Sequence, residues 1–155
     1  MTKTIEQSTE VNVPVRTAYN QWTQFEEFPR FMRGVEEVRQ IDDTTLHWKA
    51  QIAGVEREWT AKITEQTPDQ RIAWEAIGET THAGAVTFHK VDEDTTRVML
   101  QLQIEPDDFA EKAADALHLT DQRTKGDLQR FKEFIETRGE ETGAWRGEVP
   151  QDPTS

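Results

Sequence analysis

The run DFAEKAADALHLTDQRTKGDLQRFKEFIETR, residues 108–138, decides the fold, because it predicts one long helix with a single buried face. Pro106 cannot extend the segment before it. Asp108 can cap the N-terminus with Glu111 as the reciprocal partner of a capping box, and Gly139 stands just past the end, where a left-handed residue stops a helix. Leu117, Thr124, Leu128, Phe131 and Ile135 recur at spacings of three, four or seven and form a stripe, while Asp127, Arg130, Lys132, Glu133 and Glu136 point elsewhere. These roughly 31 residues would span about 46 Å, so the stripe needs a wide partner surface, for which a sheet is the natural candidate. The first half carries Ala110, Ala113, Ala114 and Ala116 and the second Leu128, Phe131, Phe134 and Ile135. Small residues on a buried face leave room, either for large side chains from the sheet or for a cavity.

Composition narrows what such a fold can do. With 155 residues the chain is the size of one domain and buries about 68–70% of its unfolded surface without staples. It has no cysteine, which excludes disulfides, thiolate metal sites and cysteine nucleophiles and is compatible with the cytoplasm, where we expect it. The start Met1-Thr-Lys-Thr-Ile has no signal-peptide core, and no apolar run approaches a membrane span. A formal net charge of −12 without a Lys/Arg stripe argues against nucleic acid as a partner. Only 34% of residues are apolar, but there are five tryptophans, four of them between Trp22 and Trp74.

Upstream of the helix the period alternates. Ile5, Thr9, Val11 and Val13 oppose Glu6, Ser8, Glu10 and Asn12, which predicts a half-buried strand over Thr4 to Val13, ended by Pro14. Val15, Ala18, Tyr19 and Trp22 then share a helical face, and a short turn around Pro29 carries Phe25, Phe28, Phe31 and Met32. After Gly34 come six strands, about Val35–Ile41, Thr45–Ala53, Val55–Glu65, Arg71–Ile77, Thr80–Val91 and Thr95–Glu105, separated by short turns that imply antiparallel hairpins. Parity puts Leu46, Trp48, Ala50 and Ile52, then Val55, Arg57, Trp59, Ala61 and Ile63, then Ile72, Trp74 and Ala76, then His82, Gly84, Val86 and Phe88, and last Val98, Leu100, Leu102 and Ile104 on one dry face. Residues 1–139 are expected to form one domain and 140–155 a flexible tail, in which Trp145 is either a loosely docked ring or folds back onto the domain or a second copy.

This order of elements, with Val11-Asn-Val-Pro, Ala18-Tyr19, Trp22, Phe25-Glu-Glu-Phe-Pro-Arg-Phe-Met, Val35-Glu-Glu-Val, Arg57-Glu-Trp59 and Gly126-Asp-Leu-Gln-Arg-Phe-Lys-Glu-Phe-Ile, resembles the helix-grip (SRPBCC) superfamily. That superfamily includes plant pathogenesis-related class 10 proteins, START domains and bacterial polyketide cyclase/dehydrase proteins. The strongest likeness is to short stand-alone polyketide cyclase/dehydrase-like proteins of actinobacteria, over about residues 4 to 139. The resemblance implies an α+β fold: a seven-stranded antiparallel sheet curled around the long C-terminal helix, with two short helices after the first strand. It also implies a cavity between sheet and helix for a polyketide, lipid or quinone.

On that reading the ligand-binding residues are Trp48, Trp59, Trp74, Val86, Phe88 and Leu100, roofed by Phe28, Phe31, Met32 and Leu117, or else the same side chains interdigitate as plain core. Two inward polar residues are the catalytic candidates. Arg57 must reach the mouth, pair with a carboxylate or hold a ligand oxyanion, and His82 is either a structural donor or a proton shuttle. His47 and His89 have outward parity, and His118 has no His or Glu partner at ligand spacing, so no metal and no other cofactor is expected. Ser8 and Ser155 lack a nucleophile elbow. Aromatase/cyclases of the family carry an inward arginine on a central strand and a tyrosine after the second helix; anchored on Pro29 and Glu58-Trp59, those positions hold Val35 and Ile63. The expectation is therefore a binder of an apolar or aromatic small molecule, a monomer or weak homodimer. The alternatives are a cyclase or dehydrase using Arg57 and His82, and an interaction module docking through the Trp145 segment.

Overall fold

The computed structural model describes residues 3–52, 55–77, 82–104 and 110–149, with no side-chain placement for 3, 52, 55, 82, 104 and 110–120. Seven strands form one antiparallel sheet: β1 (Lys3–Val11), β2 (Val35–Asp42), β3 (Thr45–Ile52), β4 (Val55–Thr67), β5 (Arg71–Ile77), β6 (His82–Asp92) and β7 (Thr95–Ile104), in the order β1-β7-β6-β5-β4-β3-β2. Every neighbour in sequence pairs as a hairpin except β1, which crosses to β7 with Ile5 opposite Leu102 and Val11 opposite Thr96. Helix α1 (Val15–Trp22) and a 3-10 helix (Phe25–Arg30) join β1 to β2, and α2 (Ala110–Arg138) closes the fold. This is the helix-grip arrangement expected from the element order. The proposed capping pair of α2 at Asp108 and Glu111 lies outside the described side chains; at its other end Gly139 sits at φ +75° and its N–H bonds Ile135 O, as a C-terminal stop requires.

The dry face is built by alternation on the strands and by the 3.6-residue period on α2, where Thr124, Leu128, Phe131 and Ile135 are buried. Its densest part is aromatic. Trp22, 1% exposed, has ring centroids of Phe28 at 5.2 Å, Phe31 at 5.7 Å and Phe131 at 5.2 Å, so α1, the 3-10 helix and α2 meet on one indole. Phe88 meets Tyr19 edge to face at 5.5 Å. Irregularity in β4 has a purpose. Ile63 faces Trp74 and Glu65 faces Ala73, so the extra residue between them turns Gln66, opposite Ile72, onto the inner face. Among the described residues no helix is long and apolar enough to cross a membrane.

The segment after Gly139, expected as a flexible tail, is seated on the domain as far as it is described. Glu141 accepts from Asn20, Thr142 exchanges two hydrogen bonds with the Gln21 amide, the Trp145 N–H donates to Thr23, and Val149 bridges Gln66 in antiparallel fashion. Arg146 reaches Asn20 Oδ1 at 2.6 Å and Asp69 Oδ2 at 2.9 Å, with its guanidinium 5.6 Å from the Tyr19 ring centroid. The cause is visible on α1: Asn20, Gln21 and Thr23 are buried polar groups that need partners, and the segment supplies them. Arg146→Ala, which leaves Asp69 and Asn20 without this partner, is expected to cost about 1–2 kcal/mol in urea unfolding. A cost near zero would mean that the segment is not held.

Candidate functional site

The cavity forms where the inner sheet face departs from α2. Its volume is about 140 Å³, and its walls are Trp48 and Ala50 on β3, Trp59 on β4, Trp74 on β5, and Leu100 and Leu102 on β7. Met32, Gly34 and Val35 close it from the turn after the 3-10 helix, and Arg123, Thr124 and Asp127 close it from α2. Register explains the aromatic wall. Trp48 and Trp59 are direct cross-strand partners, so their rings stack with centroids 5.9 Å apart and planes 4° from parallel, and Trp74 continues the row at 6.2 Å and 25° from Trp48. Trp74 in turn lies over Gly84, its cross-strand partner, where a β-carbon would come within 2.5 Å of the indole. Glycine at 84 is what lets that ring lie flat.

The polar rim is also built from backbone constraints. Gly34 takes φ +88°, its carbonyl accepts from Gln51 N–H at 2.6 Å, and Arg123 donates to Gln51 O, packing so closely that a β-carbon at 34 would lie 2.7 Å from its Nη1. Asp127 accepts the Arg33 N–H at 3.0 Å and a hydrogen bond from Arg130, which also donates to Phe31 O at 3.1 Å. Gly126 leaves the space for that guanidinium, since a β-carbon there would approach its Nη1 to 3.1 Å. Burial pushes the Asp127 carboxyl up to about 6, against the opposing pull of Arg130, the Arg33 N–H and Arg123. The indole N–H of Trp48, 5% exposed, has no hydrogen-bond partner among the described residues.

Of the residues expected to bind ligand, Met32, Trp48, Trp59, Trp74 and Leu100 line this cavity. Phe28, Phe31, Val86 and Phe88 do not: the two phenylalanines of the 3-10 region turn into the Trp22 cluster, Phe88 packs on Tyr19, and Val86 is wholly buried in the core. The Leu117 side chain lies outside the described residues. Arg57 faces Ala50 across β3 and β4 on the inner side, but it is exposed and is not part of the cavity wall. His82 begins β6 opposite Ile104, and its side chain too lies outside the described residues. Arg57 and His82 are therefore not brought together at this cavity by anything described.

Sequence reading missed Asp127, which it placed on the outer side of α2, along with Arg123 and the Gly34 turn. Asp127 is three residues from Thr124 and four from Phe131, both on the buried stripe. That spacing was the available signal.

Residues 11–133 match the family described as polyketide cyclase / dehydrase and lipid transport. A 17.2 kDa protein encoded in the melC2-rnhH intergenic region of Streptomyces lincolnensis is 57% identical over 146 residues, covering 94% of this chain and 97% of the relative. Among solved structures, the Zhui aromatase/cyclase from Streptomyces sp. R1128 superposes with a TM-score of 0.77 at 14% identity, over 94% of this chain and all of that one. A START superfamily protein from Mycobacterium smegmatis gives 0.65 at 13% identity, over 83% and 98%. With the family match spanning most of the sheet and α2, and a relative this similar along nearly its whole length, the chain belongs to the polyketide cyclase / dehydrase and lipid transport family.

Proposed function

We propose that the protein binds an apolar or aromatic small molecule, of the polyketide, lipid or quinone class, in the cavity between the tryptophan row and α2. The observation that carries this is the wall itself: three stacked indoles from three adjacent strands face a cavity instead of closing on the helix. The reading places the protein in the cytoplasm as a monomer or weak homodimer, in keeping with its cysteine-free, acidic composition. The test is indole-fluorescence titration with a fatty acid, menadione, benzoate and emodin. At least one should saturate and lose about tenfold or more in affinity in Trp59→Ala, with Trp48 and Trp74 still reporting. If none of the four binds, the reading fails.

The alternative, an aromatase/cyclase or dehydrase, is favoured by one further observation: a carboxyl held near neutrality, Asp127, and a guanidinium, Arg123, at the same cavity. They are better placed there than Arg57. Cyclisation of a linear poly-β-ketone by the wild type and not by Asp127→Asn would select this alternative; no turnover by the wild type would remove it.

A further inference from the structure

We infer that the ligand is a single-ring acid, with its ring against the tryptophan row and its carboxylate at the Arg123 end of the cavity. This rests on the binding function proposed above and adds its size and charge.

Size follows from volume. The cavity holds about 140 Å³, close to the roughly 150 Å³ of an apolar cavity that takes one benzene. Flat shape follows from the ring geometry, because Trp48 and Trp59 lie within 4° of parallel and present a planar wall.

Charge follows from the polar groups at the rim. In a chain of net charge −12, the charged residues at this cavity among the described ones are Arg33, Arg123 and Asp127. The Asp127 carboxylate is already matched by Arg130, and it also takes the Arg33 N–H, which leaves Arg123, with Arg33 beside it, in excess among the described lining residues. The described rim therefore carries positive charge beside an apolar wall, a combination that suits a ring bearing an oxyanion and disfavours an amine or a neutral hydrocarbon.

Asp127 makes this preference depend on pH. The groups facing it are Arg33 from the turn before β2 and Arg123 and Arg130 from its own helix. Protonating its carboxyl removes the only negative charge at the rim among the described residues. Anion affinity should rise as pH falls from about 7.5 to about 5.5, a range in which a benzoic acid stays ionised.

The experiment titrates the full chain with benzoate, toluene and 2-anthroate, in wild type, Arg123→Gln, Arg123→Lys and Asp127→Asn, by calorimetry. The expected result is that benzoate binds at least about tenfold more tightly than toluene and 2-anthroate. Arg123→Gln should remove the preference over toluene while toluene itself still binds, and Arg123→Lys should keep part of it, which separates lost charge from lost structure. Benzoate affinity should gain about three- to tenfold on lowering the pH, and Asp127→Asn should abolish that gain. Toluene binding as well as benzoate, with no effect of Arg123→Gln, would overturn the acid and leave the pocket standing. Preferential binding of 2-anthroate would overturn the size. If none of these probes binds but menadione, emodin or the fatty acid does, this inference fails and the binding function survives; if no ligand of either set binds, both fail.

Discussion

Trp22→Ala is expected to cost about 3–5 kcal/mol of stability, the loss typical of emptying a well-packed aromatic site. The ring is 1% exposed and touches Phe28, Phe31 and Phe131, so its removal detaches α1, the 3-10 helix and α2 from one another at once. Little can collapse into the gap, because those three rings have other partners as well, Phe28 in Phe25 and Trp48, Phe31 in Phe134, and Phe131 in Phe31. A domain of this size has about 5–15 kcal/mol in total, so the variant should be near the edge of folding. At an m of about 2 kcal/mol/M the urea midpoint should drop by roughly 2 M. Trp22→Phe should lose much less, since the Trp22 indole N–H is buried without a partner among the described residues and its removal relieves a desolvated donor. A midpoint shift below about 0.5 M for Trp22→Ala would mean that the three helical elements are not joined there.

The second large effect is expected at Gly84. A β-carbon at this position would lie 2.5 Å from Cζ2 and 2.7 Å from Cε2 of Trp74, both parts of a rigid ring that stacks toward Trp48. Gly84→Val must therefore push the indole off the sheet and toward the cavity. Overpacking of this kind costs about 1–3 kcal/mol, and the displaced ring takes the ligand's place, so we expect affinity for any ligand that reports on Trp59 to fall more than about tenfold. Trp74→Ala introduced with Gly84→Val removes the clash, so the two substitutions should be strongly non-additive in stability. Wild-type binding by Gly84→Val, or simple additivity in the double variant, would show that Trp74 is not pinned by this glycine.

These effects also mark how far the sequence could be read. Alternation in β3 and β4 placed Trp48 and Trp59 on one face, and the register puts them in contact because a two-residue period leaves no other choice once the hairpin is set. The strand order, the long helix and its buried stripe were legible for the same reason: each rests on a period repeated many times. Phe28 and Phe31 were expected as a roof and Phe88 as part of the wall; all three are buried on the inner side, Phe28 against Trp48, but outside the cavity lining, since periodicity gives a face and says nothing about position along it. Asp127 was missed because a charged residue beside a buried stripe is ordinarily solvated; here the Arg33 N–H and Arg130 allow it to turn inward. The docking of residues 141–149 left no periodic trace. It is carried by hydrogen bonds to Asn20, Gln21 and Thr23, and the hint was three polar residues flanking a tryptophan on a short amphipathic helix.

The cavity beside the tryptophan row is the centre of this account, and the five indole N–H resonances of the chain test it directly. In a two-dimensional proton–nitrogen spectrum titrated with benzoate and, separately, toluene, ring-current shifts should appear at Trp48, Trp59 and Trp74, which line the cavity. Trp22, sealed in the aromatic core, and Trp145, on the far-side segment against α1, should stay where they are. Shifts confined to Trp145, or none at any indole with a saturating ligand of either kind, would contradict the claim that this cavity is the binding site.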